Sequence, residues 1–330
     1  MSVSDVFLSL STAATDPYVF HCLSHVRPRY GGLSFLGFSG YYRPGIDMRR
    51  VGVHTSIAGG LTLSLERAKD LGCSALQIFS HNPRGWKIVP RDRDEIRLFR
   101  ERRLEYGLYP LVVHTSYLIN LASSQQSLRM KSLEMVVNEM DIADSIGADY
   151  VVLHTGSASG DDPGTARERA AEGLREVSKK GKWKSGLLLE NTAGERGDIT
   201  SKISDLGWLM GEVPGRLLAG ICFDTCHAFA AGYDIRDANV IDETAVEIVK
   251  FAGRDGLKII HCNDSKKGLG SGRDRHEHIG RGEIGAAGFR RFLEHSLFAR
   301  APLILETPKE IDDDDRRNLR TIRKILSSRL

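Results

Sequence analysis

Residues 111–156 read LVVHTSYLINLASSQQSLRMKSLEMVVNEMDIADSIGADYVVLHTG, and this stretch decides the fold. It opens and closes on short apolar runs rich in β-branched residues, LVVHTS (111–116) and YVVLHTG (150–156). Continuous runs of this length suit strands buried on both faces, as in a parallel sheet. Between them Leu128, Leu133, Met135, Val136, Met140 and Ile142 fall close to one face of a helix, and Gly147 is placed to end it. The stretch is a strand–helix–strand unit.

Outward from it the same alternation continues in both directions. The other runs are VGVHTS (51–56), ALQIFS (75–80), GLLLENT (186–192), LAGICFDT (218–225), LKIIHCND (257–264) and APLILET (301–307). Helical patterns such as LSLERAKDLG and DETAVEIVKFAG lie between them. Eight strand–helix units in roughly 280 residues is the size of an α/β TIM barrel, (β/α)8. The other fold compatible with the alternation, a doubly wound open sheet, would be supported by G-x-G-x-x-G after its first strand. The chain offers only AGG at 58–60.

Composition narrows the class further. The 330 residues are 41% hydrophobic and 27% charged, ordinary values for a soluble globular chain. No apolar run reaches the roughly 20 residues of a membrane helix. A net charge of only +3 means that any nucleic-acid binding must come from a local basic face. Five cysteines (Cys22, Cys73, Cys222, Cys226, Cys262) do not form a disulfide framework and read as reduced thiols of a cytoplasmic protein. Residues 1–47 lack a regular hydrophobic period and a basic start, which argues against a secretory signal. They are expected to be a disordered extension or a mis-assigned start, with Met48 opening a single barrel domain over 48–330.

Six consecutive strands end in a metal-capable side chain: His114, His154, Glu190, Asp224 with His227 just beyond, His261 and Glu306. In a barrel the C-terminal ends of the strands converge on one mouth, so residues scattered in sequence become neighbours. A single His after a strand is ordinarily a hydrogen-bonded loop residue; six at equivalent positions form a pattern. Glu190 and Glu306 follow the apolar runs LLLE and LILE, where a carboxylate is costly unless paired or metal-bound. The Gly-rich segment after strand seven adds Asp274 and His276, with His278 nearby. Five His and four carboxylates exceed what one tetrahedral ion uses. The donor types favour zinc, with manganese or iron as alternatives, and clustered ions favour phosphoester hydrolysis.

HTSYLINLASS (114–124), ENTAG (190–194), CFDTCHAFAAGYD (222–234), HCNDSK (261–266), DRHEHIGRGEIG (274–285) and PLILET (302–307) resemble the endonuclease IV family of apurinic/apyrimidinic endonucleases, and VGVHTSIAGG (51–60) resembles its opening strand. The resemblance covers about residues 49 to 327. It implies a TIM barrel holding three Zn2+ ions, with Mn2+ as a substitute. His114 and His154 would hold one ion, with Glu190 bridging it to a second that also takes Asp224, His261 and Glu306. His227, Asp274 and His276 would hold the third. The implied reaction is hydrolysis of the phosphodiester 5′ to an abasic site, leaving a 3′-hydroxyl, together with trimming of blocked 3′ ends. Glu190 or Glu306 would orient the attacking hydroxide. Two departures from the family pattern, Glu277 and Arg281, bear on DNA contacts and local charge and not on the ligands.

The implied partner is double-stranded DNA, bound by a monomer without a membrane. HNPRGWK after strand two supplies Asn82, Arg84, Trp86 and Lys87, and the turn after strand three supplies Tyr117 and Leu118. The resemblance puts Arg84, Tyr117 and Leu118 into the base stack around an extruded abasic nucleotide, which lacks a base to stack and so costs less to extrude. Simple packing under a loop is the alternative for Trp86 and Tyr117. Lys266, Lys267, Arg273 and Arg275 fall around the same mouth and are candidates for phosphate contacts. Two rival functions share this architecture: a metal-dependent sugar isomerase, expected to be richer in carboxylates with a Lys at the chemistry, and a non-catalytic barrel that only binds damaged DNA.

Overall fold

The eight apolar runs form the eight strands of a closed, all-parallel barrel. The computed structural model describes residues 49–327; the expected extension 1–47 and the expected start at Met48 lie outside the described residues. In chain order the first half comprises β1 (Val51–Thr55), α1 (Leu61–Asp70), β2 (Ala75–Phe79), α2 (Arg93–Glu105), β3 (Leu111–His114), α3 (Gln126–Ile146), β4 (Tyr150–Leu153) and α4 (Pro163–Ser178). The second half comprises β5 (Gly186–Glu190), α5 (Ile203–Glu212), β6 (Leu218–Asp224), α6 (Thr225–Ala230), α7 (Ala238–Ala252) and β7 (Leu257–His261). A short hairpin, β8 (Asp264–Ser265) with β9 (His276–Glu277), follows; α8 (Gly285–Glu294), β10 (Leu303–Leu305) and α9 (Asp314–Ser327) complete the chain. The barrel closes between β1 and β10 through the pairs Val51–Leu303 and Val53–Leu305. Among the described residues no helix is long and apolar enough to cross a membrane.

Strand periodicity sorts the core into two layers. Side chains alternate between faces, so residues two apart share one. Ala75, Val112, Val152, Leu188, Cys222, Ile259 and Ile304 face the barrel lumen and form one fully buried cluster. Leu76, Leu111, Val113, Val151, Leu153, Leu187 and Leu189 face outward and pack against the helices in a second, larger cluster. α3 contributes Met135, Val136, Met140 and Ala143 to that outer layer and ends at Gly147 in the left-handed conformation, φ 73°. Gly220 is needed for a different reason: at φ 151° beside a register shift in β6, any Cβ would meet the Gly256 carbonyl oxygen at 2.1 Å.

Candidate metal centre

Two residues beyond each lumen-facing apolar residue, the same face of the strand carries a polar one. Ala75 leads to Gln77, Val112 to His114, Val152 to His154, Leu188 to Glu190, Cys222 to Asp224, Ile259 to His261 and Ile304 to Glu306. On β1 the equivalent step leads from Gly52 to His54. The lumen is thus apolar at mid-height and capped at its C-terminal end by a ring to which all eight strands contribute. Sequence reasoning named six of these positions and missed His54 and Gln77. The signal is present in VGVHTS and ALQIFS, but Gln is not a ligand type and a lone His closing a strand is ordinarily a hydrogen-bonded loop residue.

Glu190 is the hub of the ring, with no exposed surface. Its Oε2 lies 2.8 Å from His154 Nε2 and 3.4 Å from His114 Nε2, while Oε1 lies 2.8 Å from His261 Nδ1. One carboxylate therefore faces two separate groups of donors. Ligand atoms of His114, His154 and Glu190 lie within 4.8 Å of one another, as do those of Glu190, Asp224, His261 and Glu306. Asp224 also caps α6: its carboxylate accepts the His227 backbone N–H at 2.7 Å, placing His227 on the first helical turn over the same mouth. From the hairpin, Asp274 reaches back with one oxygen 3.2 Å from His227 Nε2 and the other 3.1 Å from His276 Nε2.

Hydrogen bonds on the far side of each ring decide which nitrogen faces inward. His114, His227 and His276 donate from Nδ1 to the carbonyls of Thr115, Asn191 and Glu306 at 2.8, 2.9 and 2.9 Å, which turns Nε2 toward the cluster. His261 is reversed: its Nε2 donates to Gln77 Oε1 at 2.8 Å and its Nδ1 faces the carboxylates. Gln77 completes the arrangement by donating from Nε2 to Glu306 Oε1 at 2.6 Å and to His54 Nδ1 at 3.0 Å. Asn263 binds both Asp224 Oδ2 (2.6 Å) and Glu306 Oε2 (3.3 Å), and Asn191 holds the Asp224 backbone.

The electrostatics of this cluster call for cations. Among the described residues, the ion pairs of Glu190, Asp224, Asp274 and Glu306 are made only with histidines, and no Lys or Arg reaches them. Burial opposes charge on Glu190, Glu306, Asp274, Asp224, His227, His261 and His276. On Glu190, Glu306 and Asp274 the neighbouring imidazoles outweigh it and hold the carboxyls below their usual range, whereas on Asp224 burial prevails and the pKa rises. Against burial, the carboxylates raise His227 well above normal and His276 to about 9, and Cys222 together with Glu190 and Glu306 raises His261 well above normal. Glu190 Oε2 and His276 Nε2 are nevertheless buried and, although close to His154 and Asp274, make no well-directed hydrogen bond. Convergent nitrogen and carboxylate donors with orphaned atoms aimed inward fit divalent ions of the zinc or manganese type. Cys222 lies within ligand reach of Glu190 and His261, and Cys226 of Asp274 and His276; burial pushes the Cys222 thiol up to about 12 and Cys226 higher still, so both stand as neutral thiols.

The DNA-contact candidates surround this mouth as exposed groups. Asn82, Arg84, Lys266, Arg273 and Arg275 are all solvent-facing, and Tyr117 is 67% exposed with Leu118 half-buried beside it. Trp86, Tyr117 and Leu118 line a cleft of about 560 Å³ that reaches His154. Trp86, at 36% exposure, is not simply packed beneath its loop. His278 turns the other way, against Asn318 of α9, and does not join the cluster. Another cleft, about 540 Å³, opens at the N-terminal ends of β4 to β7, remote from the histidines.

Comparison with known proteins agrees with this architecture. Residues 65–326 match the family model described as xylose isomerase-like TIM barrel. The probable endonuclease 4 of Halothermothrix orenii is 44% identical over 260 residues, covering 79% of this chain and 94% of that protein. That of Aquifex aeolicus is 38% identical, covering 84% and 98%. Among solved structures, endonuclease IV from Thermus thermophilus superimposes with a TM-score of 0.73 at 36% identity, covering 84% and 98%. A D-tagatose 3-epimerase-like protein shares the fold with a TM-score of 0.65 at 20% identity. The chain is accordingly a nuclease, a hydrolase by class, and belongs to the endonuclease IV family of xylose isomerase-like TIM barrels.

Proposed function

We propose that the protein is a DNA-repair endonuclease that hydrolyses the phosphodiester 5′ to an abasic site, leaves a 3′-hydroxyl, and trims blocked 3′ ends. The observation that carries the reading is Glu190, whose two oxygens face two different sets of donors at the centre of an eight-strand polar ring. In this reading three zinc ions would be held by His114, His154 and Glu190; by Glu190, Asp224, His261 and Glu306; and by His227, Asp274 and His276. Such ions neutralise phosphate charge and acidify water.

The residues divide the remaining work. Glu190 bridges the first two groups, and Glu306, fixed by Gln77 and Asn263, sets the opposite wall, so the pair orients the attacking water. Arg84, Tyr117 and Leu118 enter the stack left open by the missing base, and the extruded sugar is delivered to the mouth. Asn82, Lys266, Arg273 and Arg275 hold flanking phosphates. The reading includes a monomer acting on cytoplasmic DNA.

The test is a duplex oligonucleotide carrying one abasic analogue. Zinc-replete protein should nick it on the 5′ side, chelation should stop the reaction, and added zinc should restore it. A metal-replete protein that binds the duplex and never nicks it would replace this reading with that of a damage-binding barrel.

A further inference from the structure

Glu139 is fully buried on α3, has no Lys or Arg partner among the described residues, and takes no part in the chemistry above. It lies beneath both loops assigned to DNA. Its Oε1 accepts the Ser116 backbone N–H at 2.8 Å, immediately before Tyr117 and Leu118. Its Oε2 accepts the Ser80 hydroxyl at 3.4 Å, at the root of the loop carrying Asn82, Arg84 and Trp86. Ser80 Oγ also lies 2.9 Å from His81 Nδ1, which stands 3.9 Å from Glu139 Oε1. The two loops are joined directly as well: the Ser116 hydroxyl donates to the Pro83 carbonyl at 2.8 Å, next to Arg84, and accepts the Leu118 N–H at 3.2 Å.

Burial pushes the Glu139 carboxyl up to about 7 despite these hydrogen bonds. A helix facing an apolar barrel has no need of a carboxylate at that position, since Met135, Val136 and Met140 already fill the interface. Its orientation toward a backbone N–H of one loop and a hydroxyl at the root of the other, and not toward solvent or a Lys or Arg, is what requires an account.

We propose that Glu139 is a positioning residue for lesion recognition, clamping the loops after β2 and β3 together from beneath so that Arg84 and Tyr117–Leu118 meet the DNA as one rigid wedge. The clamp rests on the abasic-site reading for the identity of the wedge. Its mechanical part does not, because loop rigidity is measurable in the free protein. A buried carboxylate accepting a backbone N–H and a hydroxyl fixes its partners more firmly than packing alone, since both would otherwise be left unsatisfied.

The experiment compares the full chain with Glu139→Ala, Glu139→Gln and Ser80→Ala. In Glu139→Ala, amide hydrogen exchange should accelerate about tenfold or more in both loops, residues 116–118 and 82–85, with the barrel strands unchanged. Glu139→Gln keeps an acceptor for the Ser116 N–H and should leave the β3 loop near wild type. Ser80→Ala, which removes only a hydroxyl and serves even if Glu139→Ala does not fold, should loosen the β2 loop alone. With abasic duplex, Glu139→Ala should raise Kd about tenfold. Zinc content should be unchanged, and the single-turnover rate at saturating DNA should stay within about twofold of wild type. Exchange that speeds up in neither loop, or a loss of rate at saturation with Kd intact, overturns the proposal. Wild-type protein that fails to engage abasic duplex defeats the functional reading alone, because exchange in the free protein still decides the clamp.

Discussion

Two parts of the polar mouth are built in different ways. The inner part stands at strand ends fixed by the closed hydrogen-bonding of the barrel: His114, Glu190, Asp224 and His261 have at most 5% exposure, while the side chains of His154 and Glu306, at the rim, are 35% and 16% exposed. The outer part depends on a hairpin: the Asp274 side chain is 46% exposed and that of His276 18%. This hairpin is held by its own local devices. Gly270 and Gly272 donate to the carbonyls of Phe229 and Ala230 at 3.0 and 2.9 Å, and the buried Asp264 carboxylate accepts the N–H groups of Gly280, Gly282 and Ile284. Rigid strands give the inner donors their geometry before any ion arrives, while the outer site combines His227 of α6 with Asp274 and His276 from a hairpin outside the barrel. An ion held by the outer group should therefore be the first to leave on chelation.

The largest expected effect is at the point common to the inner groups. Glu190→Gln should lower abasic-site cleavage by about a thousandfold or more while folding and duplex binding persist, because it removes bridging charge and not a DNA contact. Gel-shift and nicking assays on one preparation check this, and cleavage near the wild-type rate would end the bridging role. Asp274→Asn should act on the outer group alone, with metal content falling by roughly one ion and cleavage by about a hundredfold. Loss of all the metal on that substitution would show that inner and outer parts are not separable.

Gln77→Leu is gentler. Without its acceptor His261 is free to turn, so zinc affinity and cleavage should both fall about tenfold, the effect typical of losing a group that orients a ligand. Unchanged zinc affinity by competition with a chelating dye would refute the orienting role. Glu139→Gln should move activity least, and it supplies a control: a buried carboxylate with no cation nearby. Burial pushes its carboxyl in the folded state up to about 7, above the ordinary 4.5 of the unfolded chain, so the folded state binds the proton more tightly. That contribution to stability is complete below about 4.5 and is lost as pH rises through about 7, worth on the order of 3 kcal/mol. Urea titrations at pH 5 and pH 8 should show wild type losing that advantage over Glu139→Gln; equal differences at both values would refute it.

The strands were legible because their signal is local. YVVLHTG and GLLLENT are apolar over the length of a strand, and β4 and β5 occupy Tyr150–Leu153 and Gly186–Glu190 within them. Gly147 was legible as a helix stop for the same reason. Less could be read where a role depends on a distant partner. Gln77 orients a histidine 184 residues away, and nothing in ALQIFS distinguishes it from any other buried amide. Glu139 sits in a helix whose polar residues mostly face water, and only the packing of α3 under two loops turns it inward.

The sequence by itself determined the barrel, the mouth at which its chemistry collects, and the donor types found there. Strand periodicity and apolar run length act over a few residues, and a polar residue closing each run needs no tertiary information to be seen. The rest appears only once the chain is folded: that the two oxygens of Glu190 face separate donors, that His261 presents the opposite nitrogen from His114, His227 and His276, and that one buried carboxylate touches the loops after both β2 and β3. These depend on barrel closure, which sets residues far apart in the chain within hydrogen-bonding distance and in one orientation.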